Sequence, residues 1–352
     1  MRWLLRNVDA TQVELLADGL RSRSARGIRD RQLASTLACL LTSRGIPNAE
    51  AAERFLSPAL SHLHSPYTMT GMRTAVDRLD AAIERKEGIL IYGDYDVDGT
   101  TAIVILKTAI ELCGGSADFH VPHRIRDGYG MKDAVIERAA EAGIRLIISV
   151  DTGIRAFAAA ETARRAGVDL IVTDHHVPGH EGMPPALAVL NPNQLGCEYP
   201  CKALCGAGVA FKLAQALMER RLTRSDQSSL LTSFLKIVAI ATIADAVPLT
   251  GENRVFAKLG LDGLRAPVNA GLKALLQVAQ LASTRPLNSG EVAFRIAPRL
   301  NAAGRMDVAR DVIELFSVKD AARARELANR LDQLNSERQE QELRESVQPR
   351  ES

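Results

Sequence analysis

The chain has 352 residues, of which 46% are hydrophobic, 24% charged and 4% aromatic. That balance excludes a disordered, fibrous or membrane-embedded chain and leaves room for two or three domains. Lysine and arginine total 44 against 42 acidic residues, and a net charge of +2 neither requires nor excludes a polyanionic partner.

In chain order, residues 1 to about 80 read as short helices broken at Gly45-Ile-Pro47 and Ser57-Pro58, ending in the helical run Met72 to Glu84. The pattern changes at Gly88. Ile89–Tyr92, Asp118–Val121, Arg145–Val150 and Asp169–Thr173 are short apolar runs, the pattern of strands buried on both faces. Helical segments Thr100–Cys113, Lys132–Glu141 and Ala156–Ala166 alternate with them, and Gly114, Gly143 and Gly167 stand where C-caps are needed. The alternation predicts an α/β fold, a doubly wound, mainly parallel sheet. Past Ala188-Val-Leu-Asn-Pro192 the chain reads as helical, with Val209–Arg221 and Ser228–Ile243 the clearest segments. The tail from Lys319 to about Ser346 carries Leu327, Leu331 and Leu334 and then turns polar, as a helix does when it leaves its core.

No run approaches the ~18 uncharged apolar residues of a membrane span. The longest, Ile237 to Val247, is interrupted by Asp245, and Met1 to Arg6 has no signal-peptide core, so a cytoplasmic location without a membrane partner is expected. The odd count of five cysteines fits reduced thiols, and the spacing Cys197-x3-Cys201-x3-Cys205 matches neither zinc nor the common iron–sulfur patterns. There is no Walker A loop, no H-E-x-x-H and no G-x-S-x-G. Gly206-Ala-Gly208 lacks the third glycine of a dinucleotide loop.

In an open parallel sheet, ligands bind beyond the carboxyl ends of the strands. Those positions hold Asp94-x-Asp96-x-Asp98-Gly99, Asp151-Thr-Gly153 and Asp174-His175-His176. So many carboxylates and imidazoles at one sheet edge call for divalent cations to offset their repulsion. The Asp94 run opens like an EF-hand loop, but its twelfth position is Ile105 rather than a bidentate glutamate. Adjacent histidines point different ways, so one can bind metal while the other faces substrate. Asp245, within the longest apolar run, is either a hydrogen-bonded structural carboxylate or a further ligand. Arg299, Asn301 and Arg305 in Pro298-Arg-Leu-Asn-Ala-Ala-Gly-Arg305 suit phosphate oxygens, and Arg124 with Tyr129 offers a guanidinium and a ring that stacks on a base.

In their order and spacing, from about Gly88 to Arg305, these motifs resemble the DHH phosphoesterase superfamily and, within it, the RecJ family of single-stranded-DNA exonucleases. The resemblance implies a metal-dependent 5′→3′ exonuclease that hydrolyses single-stranded DNA to mononucleotides in DNA repair and recombination. It implies two ions, Mn2+ or Mg2+, held by Asp94, Asp96, Asp98, Asp151, His175 and Asp245, with Asp151 between them. Catalytic roles fall to Asp151, Asp174 and His176, and DNA contacts to Arg124 and Arg305. Other DHH hydrolases acting on pyrophosphates, cyclic dinucleotides or very short RNA share the metal motifs without needing the Pro298 to Arg305 segment. A nucleic-acid scaffold without activity is the remaining class. The expected organisation is an N-terminal helical extension (1–80), the DHH catalytic domain (81–250), a helical region with the arginine loop (251–318) and a linker helix (319–352) toward a second domain that the family carries.

Overall fold

The computed structural model describes residues 7–23, 28, 30–123, 128, 130–281, 285–305 and 309–347. Three helices come first: α1 (Ala10–Arg23), α2 (Arg31–Thr42) and α3 (Ala49–Leu56). Asp30 and Asn48 cap α2 and α3 by accepting the N–H groups of Leu33 and Ala51. These helices close on a small core of their own, built from Leu16, Leu20, Ala34, Ala38, Leu41 and Ala52. Helix α4 (Met72–Glu84) turns Met72, Val76, Leu79 and Ile83 into the larger core beneath the sheet.

The sheet has five parallel strands, β1 (Gly88–Gly93), β2 (Asp118–His120), β3 (Ile144–Val150), β4 (Asp169–Thr173) and β5 (Ala188–Leu190), in the order β2-β1-β3-β4-β5. All four pairings are parallel, as the alternation with helices predicts. Helices α5 (Val97–Leu112), α6 (Asp133–Glu141) and α7 (Phe157–Arg165) cover the two faces. Alternation decides which side chain goes where: Ile89, Ile91, Leu146, Ile148 and Ile171 face one core, while Leu90, Tyr92, Ile147, Leu170 and Val172 face the other. The predicted C-cap glycines Gly114, Gly143 and Gly167 all take left-handed φ values, 85°, 86° and 68°. Because β2 lies on one side of β1 and β3 on the other, the chain reverses direction across the sheet between β1 and β3. That reversal opens a crevice at the carboxyl ends of these two strands.

The second half is helical: α8 (Gly206–Arg221), α9 (Arg224–Ala244), α10 (Gly251–Gly263), α11 (Ala270–Val278), the short α12 (Ser289–Glu291), a π-helical stretch Val292–Ile296, α13 (Ala297–Arg305), α14 (Ala309–Ser317) and α15 (Ala321–Val347). One expectation needs correcting here. Helix α9, of 21 residues, holds an 18-residue stretch with a mean hydropathy of 1.5 and so is long and apolar enough to cross a membrane by length and composition. Asp245 falls just past its last turn instead of interrupting it. The helix packs against α8 and α10, with Phe234, Leu235 and Val238 to Ile243 buried. Helix α15 buries Leu327, Leu331 and Asn335 and then runs on exposed.

A fully buried ion pair ties the helical half together. Lys212 on α8 and Glu252 on α10 are both 0% exposed, with Nζ 2.9 Å from Oε1. The Tyr199 hydroxyl donates to the other Glu252 oxygen, the His64 N–H donates to Oε1, and Lys212 also donates to the His64 carbonyl. Every charge is therefore hydrogen-bonded, which is what makes a buried pair tolerable. Removing one partner strands the other: Glu252→Ala is expected to lower stability by about 3–5 kcal/mol in urea unfolding, whereas truncating Lys258, in a partly exposed pair on the same helix, should change it by less than ~1 kcal/mol.

Candidate metal centre

The ends of β1, β3 and β4 converge at the crevice. Asp96 caps α5 by accepting the Gly99 N–H at 2.9 Å, which starts the helix at Val97, three residues earlier than its apolar pattern predicts. Asp98 sits in the first turn and is 3% exposed. Its two carboxylate oxygens accept the N–H groups of Gly206 (2.5 Å) and Ala207 (2.8 Å), the first residues of α8, so the positive end of that helix holds this anion. Asp94 is buried and accepts the Tyr95 N–H.

Asp151 is the first residue beyond β3 and takes φ of 59°, a left-handed conformation that costs a non-glycine residue on the order of 1 kcal/mol. Its Oδ1 is buried without a hydrogen-bond donor. A Cβ at Gly206 would lie 2.4 Å from that oxygen, so α8 approaches this closely only because residue 206 has no side chain.

After β4, Asp174 accepts N–H groups from Ile154 (2.9 Å), His175 (2.7 Å) and His176 (3.1 Å), and the His176 Nδ1 lies 2.7 Å from its Oδ1. The His175 Nε2 stands 3.2 Å from Asp151 and 3.7 Å from Asp98, and its Nδ1 is 3.9 Å from Asp245. Asp245, left open between structural and ligand roles by its sequence context, thus faces the cluster from the C-terminal end of α9.

The electrostatics follow from burial and crowding. Desolvation, reinforced by Asp98, Asp96, Asp174 and Asp94, holds the Asp151 carboxyl well above the ordinary range. Desolvation with Asp98 and Asp96 pushes Asp245 up to about 7, and Asp96 is raised by desolvation and Asp98. Burial lowers His175, keeping its imidazole neutral and able to ligate. Burial also acts to raise Asp174, but hydrogen bonds from His176 and the backbone outweigh it and leave the carboxyl below its usual value. The same hydrogen bond raises His176.

Three overlapping sets bring ligand atoms within 4.8 Å of one another: Asp94, Asp96 and Asp151; Asp98, His175 and Asp245; and Asp151, His175 and His176. Carboxylates mixed with imidazole suit Mn2+ and related hard-to-borderline cations. The donorless Asp151 oxygen at their junction is what a cation there would satisfy.

The candidates on α13 make contacts within the protein. The Arg299 Nε pairs with Asp332 of α15 at 2.7 Å and its Nη1 donates to the Arg295 carbonyl. The Asn301 Oδ1 accepts the Val97 N–H at 3.1 Å, and Gly304 lies where a Cβ would be 2.2 Å from the Tyr95 carbonyl oxygen. Helix α13 therefore braces the loop that carries Asp94, Asp96 and Asp98. Arg124, Tyr129 and the Arg305 side chain lie outside the described residues. No set of metal-ligand atoms among the described residues includes Cys197, Cys201 or Cys205.

Sequence reasoning missed Asn191 and Asn193, whose amides donate to the carbonyls of His176 and His175, and it set aside Gly206 and Ala207. Asn191-Pro192-Asn193 directly after a short apolar run was a usable signal, since it too marks a strand's carboxyl end.

The family described as DHH family, N-terminal domain, matches residues 88–242. The chain is 40% identical over 339 residues to the single-stranded-DNA-specific exonuclease RecJ of Bacillus subtilis, an alignment covering 96% of this chain and 40% of that one. A crystal structure of exonuclease RecJ bound to manganese matches with a TM-score of 0.72 at 36% identity, covering 82% of this chain and 71% of that one. RecJ of Thermus thermophilus in complex with Mn2+ matches with a TM-score of 0.78 at 30% identity, over 97% and 47% of the two chains, and the same protein is also solved with Mg2+. The chain spans about half the length of the curated relatives it matches.

The raised carboxyls make metal binding and pH interdependent. A carboxyl whose folded pKa exceeds its unfolded value adds stability at low pH and loses it as pH rises through the folded value, about 7 for Asp245. Cations need those groups ionised. Added Mn2+ should therefore raise Tm by several degrees more at about pH 8 than at about pH 5.5 in scanning calorimetry; equal gains at both would contradict the carboxylate assignment.

Proposed function

We propose, from the premise that this chain belongs to the RecJ family of DHH phosphoesterases, that it hydrolyses the phosphodiester bonds of single-stranded DNA from the 5′ end and releases mononucleotides, with Mn2+ or Mg2+ as cofactor. The observation that carries this reading is the junction of three ligand sets on Asp151 and His175, which suits two neighbouring cations rather than one. The ligands are Asp94, Asp96, Asp98, Asp151, His175 and Asp245. Bound there, the cations supply the Lewis acidity that activates water and offsets charge on the leaving oxygen.

The chain's own residues do the positioning. The N-terminus of α8 fixes the Asp98 carboxylate, and the strained backbone at Asp151 aims its carboxylate into the crevice. Asp174 lies 2.7 Å from the His176 Nδ1, and both residues line the adjoining cavity. That hydrogen bond raises the His176 pKa, and His176 is the group that gives a proton to an oxygen of the scissile phosphate in this account. Arg124 and Arg305 hold the DNA backbone, Tyr129 stacks on a base, and on α13, beside the metal-bearing loop that Asn301 meets, Arg299 and Asn301 belong to the same phosphate-facing segment. The substrate is cytoplasmic DNA undergoing repair or recombination. Residues 81–250 form the catalytic unit in this account, with 1–80, 251–318 and 319–352 as helical extension, arginine-bearing region and linker helix.

Digestion of a 5′-labelled single-stranded oligonucleotide with Mn2+ tests the proposal. The 352-residue chain should release labelled mononucleotide, leave a duplex intact and lose activity in Asp151→Ala. His176→Ala should lower kcat by roughly 10²–10⁴-fold, the usual worth of a positioned acid. Metal-independent release, or equal digestion of duplex, would refute it.

A further inference from the structure

A cavity of ≈ 550 Å³ opens beside the cluster, on the β4 side of the crevice. Its walls are apolar where Met131, Ile154 and Val177 line it, and Asp174 and His176 border it, so it adjoins the group assigned to the scissile phosphate. Val177 is 70% exposed there, an apolar side chain left open to whatever enters.

Arg155 stands at the rim. It is exposed, and its Nη2 reaches from the loop after β3 to the Val177 carbonyl on the loop after β4, at 3.3 Å. Among the described residues, that bond leaves most of the five guanidinium N–H groups without a protein acceptor, and no carboxylate pairs with it. Other arginines of the chain are paired with carboxylates. Arg164 on α7 is paired with Glu161, Arg78 with Glu87 and Asp169, and Arg299 with Asp332. A guanidinium held by one backbone carbonyl over an apolar slot, beside a phosphate-facing histidine, is placed to take an anion bidentately.

We propose that Arg155 is a substrate-binding residue that holds a backbone phosphate of the nucleotide occupying this cavity, next to the scissile bond. This rests on the function proposed above and extends it. Among the described residues that line the slot, Met131, Ile154, Ala156 and Val177 offer apolar contact, so the nucleotide is held by its phosphate and by apolar contact with sugar and base, a grip that does not depend on sequence.

The test is steady-state cleavage of a single-stranded oligothymidylate by the full 352-residue chain across a salt series. Arg155→Ala should raise KM about five- to tenfold, with kcat falling less than KM rises. It should also make the slope of log(kcat/KM) against log salt shallower by about 0.7, the signature of one lost phosphate contact on a single strand. Arg155→Lys should keep the slope and recover part of KM. Arg164→Ala, which removes an equal charge from α7, should match the parent on both measures. If Arg155→Ala leaves KM and slope unchanged while the parent digests the strand, this assignment alone fails. A raised KM with an unchanged slope also overturns it, since Arg155 would then only be bracing the two loops. A parent chain that does not act on single strands removes the proposed function and this inference with it.

Discussion

Everything in this fold answers one electrostatic constraint: several carboxylates are buried together at the carboxyl edge of a parallel sheet. Asp94, Asp98, Asp151 and Asp174 are each no more than 6% exposed. Isolated charges would not survive there, and the chain deals with them in two ways. Asp174 and Asp98 accept hydrogen bonds from the backbone, the first from Ile154, His175 and His176 and the second from the start of α8. Asp151 is left with a donorless oxygen and a raised pKa, and so are Asp96 and Asp245 raised. Backbone donors offset part of the burial cost, and the remaining ligand atoms, those of Asp98 included, lie close enough together for cations to offset the rest.

That division explains why the sheet needs its long helical second half. Helix α8 must press its N-terminus against Asp98 closely enough that residue 206 has room for no side chain. The buried Lys212–Glu252 pair anchors the same helix one and a half turns on, and Tyr199 and His64 complete its hydrogen bonding. From the other side α13 meets the Asp94–Asp98 loop through Asn301 and Gly304, and Arg299 links α13 to α15. The Pro298–Arg305 motif, which in isolation reads as a phosphate clamp, is thus in part a brace for metal ligands.

How much of this was legible follows from which interactions are local. The four apolar runs, the cap glycines and the carboxylates after β1, β3 and β4 repeat at short range, so periodicity and strand-end position reveal them. β5 was too short a run to stand out, yet it delivers Asn191 and Asn193 to the histidine loop. The Asp96 cap moved the start of α5 because a side-chain hydrogen bond outweighed the apolar pattern. The contact between Gly206 and Asp151 joins residues far apart in the chain, and no local pattern announces that a helix N-terminus will land on a distant carboxylate. Asp245 looked like a break in an apolar run, whereas it lies at a helix end whose preceding turns are core.

The central claim is that Asp151 is the shared element of a site built for two cations, and titration calorimetry with Mn2+ tests it most directly. Asparagine tolerates the left-handed backbone at this position, so Asp151→Asn removes the charge and preserves the turn. The account predicts two ions per chain for the parent protein and loss of at least one of them, with the other weakened tenfold or more, in Asp151→Asn. Absence of binding by the parent, or unchanged stoichiometry and affinity in Asp151→Asn, would contradict it.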